Sequence, residues 1–239
     1  MKQPLERASD VVDGSKGAVR QGQYYYSMKF EEYDWWPGNG TYYIDSWEIR
    51  EDGWVHRYSR EAEAYECGTA FATDPATNIV YGSMPDASET GYELCTIEYP
   101  RYKNGSLTRT VAGSLEQPLY AMAIGTDGML YALRGDGQLV SVAKDTGENT
   151  VIGPTGLSLT GMGGATIDTT TGKMYCTASL SDGTSGLYEI DKATGAATLL
   201  YAFAGNEQVT GLYCIPSEAA PAAPGKVTGL TAEFPASGD

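Results

Sequence analysis

The stretch KMYCTASLSDGTSGLYEIDKATGAATLL, residues 173–200, reads as three short strands joined by two tight turns. Its apolar and polar residues alternate with the period of two that strands require. The second turn ends in Thr194-Gly195, where glycine supplies the positive φ of a short hairpin with a bulge. The unit returns upstream as GMLYALRGDGQLVSVAKDTGENTVI, residues 128–152. A looser copy, NIVYGSMPDASETGYELCTIEYPRYKNGSLTRTV, covers residues 78–111. Short strands repeated at a fixed period build stacked supersecondary units, so the repeat decides the architecture before any catalytic motif is sought.

Aligning the copies gives a strand order. One strand carries Tyr81, Tyr131 and Tyr175, and the next carries Ile97, Val142 and Ile190. Hairpins follow at Gly105, Gly147 and Gly195, then a last strand at residues 107–111, 150–152 and 197–200. Before each tyrosine strand lies a small, apolar segment: CGTAFATD, LYAMAIGTD and TGMGGATID. Small residues suit a crowded innermost strand, so each unit is predicted to be four antiparallel strands, the blade of a β-propeller. At the N-terminal end, residues 23–31, 41–49 and 54–60 supply the second to fourth strands of another blade, with Gly53 at its hairpin. The missing first strand is expected from QVTGLYCIP, which starts at residue 208 and would pair into the N-terminal blade to close the ring. The expected fold is all-β, a propeller of four blades over residues 23–216, which leaves few exposed sheet edges. The competing architectures are a β-sandwich and a half-ring completed by a second chain; helical repeats are disfavoured by the period of two.

The ends of the chain differ in character. Residues 1–22 are polar, contain glycine, lack the apolar run of a signal peptide, and are expected to be a flexible lead-in. Residues 217–225 form an Ala/Pro linker. Residues 226–239 end the chain in KVTGLTAEFPASGD. With the preceding Pro-Gly, this resembles the opening strand of a fibronectin type III domain, too short to fold alone. Repeats of the LYEIDKATGAATLL type followed by such a start resemble modular secreted or cell-surface bacterial proteins. That resemblance implies a secreted or surface location, downstream domains in the same polypeptide, and a binding or scaffolding role.

Composition narrows the partners. In 239 residues, 16 Lys and Arg stand against 31 Asp and Glu, a net charge of -15. Such a surface repels nucleic-acid phosphates and anionic membranes, and no apolar run is long enough for a spanning helix. Four cysteines without CxxC spacing read as small buried apolar residues, with a Cys67–Cys214 bridge as the alternative. No cofactor or metal is expected; DTTTG at Asp168 and KDTGEN at Lys144 fit turns better than calcium loops.

The candidate chemistry centres on the first blade. All four tryptophans and many tyrosines fall there; Trp47 and Trp54 are expected to pack within strands. Trp35 and Trp36 lie in EEYDWWPGNG, which Pro37 and Gly38 mark as a loop between the second and third strands. That loop shares a propeller face with the loops joining blades, so the pair could stack on sugar rings while Asp34 and Tyr33 set orientation. Asp86 and Glu89, Asp182, and Asn206 are placed on the same face from the other blades. The preferred reading is a non-enzymatic binding or scaffold module for a glycan or a protein. Its rivals are a glycan-active hydrolase using a carboxylate pair and a purely structural spacer. The single histidine, His56, sits mid-strand without nucleophile spacing, and the Arg134-Gly135-Asp136 tripeptide is discounted.

Overall fold

A computed structural model describes residues 15–212 except 22, 23, 34, 35, 51, 52, 64, 65, 89 and 102. The fold is all-β: four sheets of four antiparallel strands, arranged as the blades of a β-propeller. The first blade holds β1 (Ser15–Gln21), β2 (Tyr24–Tyr33), β3 (Trp36–Arg50) and β4 (Gly53–Ala62). The second holds β5 (Ala70–Thr73), β6 (Val80–Pro85), β7 (Tyr92–Glu98) and β8 (Thr108–Leu115). The third holds β9 (Leu119–Ile124), β10 (Leu130–Arg134), β11 (Gln138–Val142) and β12 (Asn149–Pro154). The fourth holds β13 (Ala165–Ile167), β14 (Met174–Ser179), β15 (Ser185–Ile190) and β16 (Ala197–Ala202), followed by a 3-10 turn at Ala204–Asn206. The inner strands β1, β5, β9 and β13 are neighbours in that order.

One turn chemistry recurs. In DPATN, DTTTG and DKATG, Asp74, Asp168 and Asp191 each accept the N–H two residues on, closing an Asx turn. The fifth residue is left-handed each time: Asn78 at φ 59°, Gly172 at 71° and Gly195 at 84°. The threonine before it accepts the N–H after it, as Thr77, Thr171 and Thr194 do. A second device recurs in the outer strand pairs. Each blade carries a register shift there, after Ser46, Leu94, Leu139 and Leu187 in turn. Such bulges deepen the twist that lets blades stack face to face.

Blades adhere through three apolar clusters. Tyr26, Met28 and Ile44 of the first blade meet Phe71, Val80 and Met84 of the second. Leu94 of the second meets Met122 and Leu130 of the third. Leu133 and Leu139 of the third meet Met174 and Tyr188 of the fourth. Glycine makes two junctions tight. A Cβ on Gly113 would stand 1.8 Å from the Thr146 carbonyl oxygen, and one on Gly153 would stand 2.2 Å from that of Thr194. Among the described residues no comparable cluster joins the fourth blade to the first.

Four expectations change. The innermost strand of the first blade is β1, from the expected lead-in, and not the C-terminal strand. Lys16 and Arg20 flank its small Gly17-Ala18-Val19 centre and mask the apolar signal. Residues 208–212 instead run without strand structure beside the fourth blade, where Gln208 donates to the Met162 carbonyl and Thr177 to that of Val209. Residues 213–216, Cys214, the linker and the fibronectin-like end lie outside the described residues. Gly105 carries no positive φ, because Tyr99 and Leu107 on either side of it are drawn across to the first blade. Tyr99 stacks on Tyr26 with ring centroids 4.6 Å apart, and Leu107 packs on the same cluster. Finally, Trp36, Pro37 and Gly38 belong to β3. Tyr33 pairs with Trp36 and Glu32 with Gly40, so Pro37 falls in a bulge where its missing N–H costs no ladder bond. Cys67, Cys95 and Cys176 are buried free thiols.

Candidate functional site

The antiparallel order places four turns, those between the second and third strands of each blade, at one end with the blade-to-blade connections. Asp86 and Asp182 are therefore carried at the end the repeat assigned to them, but both are engaged within their own turns. Asp86 Oδ1 accepts from the Ser88 N–H, the Ser88 hydroxyl and the Thr90 N–H. Asp182 Oδ1 accepts from the N–H and hydroxyl of Thr184. These bonds hold both carboxyls below the usual range, the hydroxyl donor contributing most. Asp34, Trp35 and Glu89 lie outside the described residues. For Tyr33, Trp36 and Asn206 only the backbone position is described.

A cavity lies between the first and second blades. It encloses about 670 Å³ and is bordered by Gly40, Thr41 and Tyr42 of β3, residues 60–63 and Glu66 at the blade junction, and Gly105, Ser106 and Leu107. It exists because β3 and β4 of the first blade are long and Gly105, Ser106 and Leu107 lean across to them. At its floor Arg60 grips Glu66 with both prongs: Nη2 donates to Oε1 at 2.7 Å and Nη1 to Oε2 at 3.1 Å. Glu66, 9% exposed, also accepts the Glu63 N–H at 3.0 Å. Burial works to raise the Glu66 carboxyl, but the Arg60 fork and the Glu63 amide outweigh it and hold it below the usual range. Burial, reinforced by Glu66, pushes the neighbouring Cys67 thiol up to about 12, so it stays protonated. Glu61 and Glu63 are exposed at the rim. The cavity thus offers an aromatic side chain, two rim carboxylates and hydroxyls over a neutralised floor.

Sequence reasoning missed this cavity. Its residues lie in GTYYID, SREAEAYE and NGSLT, segments far apart in the chain and without any motif. The available signal was SREAEAYE, an acidic run at the first blade junction.

His56 is half-exposed and pairs with a buried carboxylate. Its Nε2 lies 3.5 Å from Asp45 Oδ1 and its ring 4.6 Å from that of Trp47. Ser27 shares that sheet face, but it pairs across strands with Asp45 and its hydroxyl accepts the Trp47 indole N–H. Asp45 rather than His56 thus neighbours the serine, the wrong order for a proton relay. In the Arg134-Gly135-Asp136 tripeptide the guanidinium turns onto Asp136, so each charge is neutralised by the other. Among the described residues no three potential ligands converge on a metal site.

No protein-family profile matches the chain, and no curated protein matches its sequence. Solved structures resemble it at low identity. A Bacteroides thetaiotaomicron protein of unknown function is 13% identical with a TM-score of 0.48, over 77% of this chain and 42% of its own. A β-xylosidase, RS223, is 12% identical with a TM-score of 0.47, over 80% of this chain and 77% of its own. Hydrazine synthase of Kuenenia stuttgartiensis is 10% identical with a TM-score of 0.42, over 80% and 50%. The chain therefore spans less than half of the Bacteroides protein. Likeness this distant carries nothing about activity.

Proposed function

We propose that this chain is a non-enzymatic recognition module of a secreted or cell-surface protein, binding a glycan at the turn-bearing side of its first blade. The observation that supports this is the 670 Å³ cavity beside Tyr42, with Glu61 and Glu63 on its rim. Shallow polar cavities with an aromatic wall suit sugar rings, whose hydroxyls donate to carboxylates while their apolar faces lie on aromatic planes. Gly40, Thr41 and Tyr42 follow Trp36 along β3.

Hydrolysis is the weaker reading. A glycosidase needs one carboxyl raised so that it can donate a proton. Glu66, Asp86, Asp136 and Asp182 are all held down as anions by hydrogen bonds. The test is a glycan array with isothermal titration of any hit, run on the chain, on Trp35→Ala/Trp36→Ala and on Glu61→Gln/Glu63→Gln. Binding that falls at least tenfold in both folded variants supports the reading. Binding unchanged in both, or none by the parent chain, rejects it, and turnover of a bound glycan would replace it with hydrolysis.

A further inference from the structure

Two Asn-Gly steps occur in the chain, Asn39-Gly40 and Asn104-Gly105, and both glycines border the cavity at the first blade junction. Asn-Gly is the dipeptide most prone to cyclise. Glycine has no Cβ to shield its amide nitrogen, so that nitrogen can reach the asparagine side-chain carbonyl carbon. The other three asparagines precede Ile79, Thr150 and Glu207, whose side chains hinder the approach.

The fold treats the two steps differently. Asn39-Gly40 lies inside β3, and Gly40 is paired with Glu32 of β2, a pairing that cyclisation would have to break. Asn104 is exposed in the turn after β7, and residues 105–107 belong to no strand. Tyr99 and Leu107 fix the two ends of this connection to the first blade, and the Tyr58 hydroxyl holds the Pro100 carbonyl. Between those anchors no strand pairing opposes rotation about Asn104. Charge favours the same site. Residues 99–115 hold Arg101, Lys103 and Arg109 and no Asp or Glu. Arg109 is taken by Glu93, whereas Lys103 is exposed beside Asn104 and stabilises the amide nitrogen as it gives up its proton.

We propose that Asn104 is a modification site of this chain, converting without an enzyme to aspartate and isoaspartate beside the border of the cavity. The Gly105 amide nitrogen loses its proton and bonds to Asn104 Cγ. The Cγ–Nδ2 bond breaks, and Nδ2 leaves with that proton as ammonia. The resulting succinimide takes up one water. Opening at Cγ gives aspartate, and opening at the main-chain carbonyl gives isoaspartate, in which the chain runs through Cβ and Cγ. Water enters, ammonia leaves, and nothing is oxidised or reduced. The product lowers the charge of residues 99–115 by one, and isoaspartate adds a methylene to the main chain between the Tyr99 and Leu107 anchors.

Peptide mapping by mass spectrometry tests this on the whole chain, held in mildly alkaline buffer at physiological temperature. The peptide bearing Asn104 is expected to gain one mass unit at least fivefold faster than the peptide bearing Asn39. Gly105→Ala is expected to slow that gain at least fivefold with the far-ultraviolet spectrum retained. In urea, where the Gly40 pairing is lost, the two parent rates are expected to come within twofold of each other. An Asn104 that stays intact, or converts no faster than Asn39, overturns the proposal. So does a rate indifferent to Gly105→Ala, or a difference between the two sites that survives in urea. None of these outcomes bears on the glycan test above, which reads binding by the unmodified chain.

Discussion

Asp74 shows how a single side chain couples two blades. Burial disfavours its charge, yet the Lys144 ammonium and the turn amides of Ala76 and Thr77 hold its carboxyl below the usual range. Truncating Lys144 to Ala leaves that buried carboxylate with amide donors alone. Because the ammonium is itself 30% exposed, the cost is expected to be about 1–3 kcal/mol in urea unfolding at pH 7. The sign with pH follows from the depressed pKa. The pair's contribution is complete above the unfolded value of about 3.9 and disappears as pH falls through the lower folded value. The gap between parent and Lys144→Ala unfolding curves should therefore narrow as pH falls below about 4, and a gap that stays constant on acidification would refute this account. Glycine gives a second contrast at this scale. Gly172, at φ 71°, has nothing within 4 Å of an added methyl, so Gly172→Ala should cost about 1–2 kcal/mol of backbone strain. Gly195 has the same handedness, but its Cβ would lie 2.4 Å from the Gly153 carbonyl oxygen. Gly195→Ala should therefore lose roughly 3 kcal/mol or more, and equal melting shifts for the two would contradict the packing described.

Strands are held to their neighbours by a few buried polar groups between large apolar faces. Ser83, on the second strand of the second blade, is fully buried and links three elements. Its hydroxyl oxygen stands 2.9 Å from the Thr69 hydroxyl and accepts the Leu119 N–H of the third blade's inner strand at 3.2 Å. Ser83→Ala would leave that buried amide unpaired, with an expected loss of about 1–3 kcal/mol and faster hydrogen exchange at Leu119. An unchanged exchange rate there would show that the bond does not join the blades. The hairpins at Gly147 and Gly195 were legible from Thr-Gly after a polar run, since one local chemistry makes both. The connection after β7 was not legible. Its Asn104-Gly105 reads like a hairpin, but burying Tyr99 against Tyr26 outweighs a local turn preference. Trp36 departs from its expected loop for a similar reason: Pro37 forbids a regular ladder yet is tolerated in a bulge.

Across the whole molecule, charge and topology set the behaviour. A net charge of -15 opposes compaction. Raising salt from about 20 to 300 mM should screen this repulsion and raise Tm by roughly 2–5 °C, and a fall in Tm would mean that ion pairs such as Arg60–Glu66 dominate instead. The sequence alone determined that the chain is all-β, that its blades number four, and that the hairpins at Gly147 and Gly195 carry left-handed glycine. Those properties are local and repeat, so each copy corroborates the next. Only the tertiary structure decided which strand lies innermost in the first blade and how Arg60 and Glu66 come to floor a cavity. Each depends on contacts between residues distant in the chain, where burial and charge pairing between blades, rather than local propensity, choose the outcome.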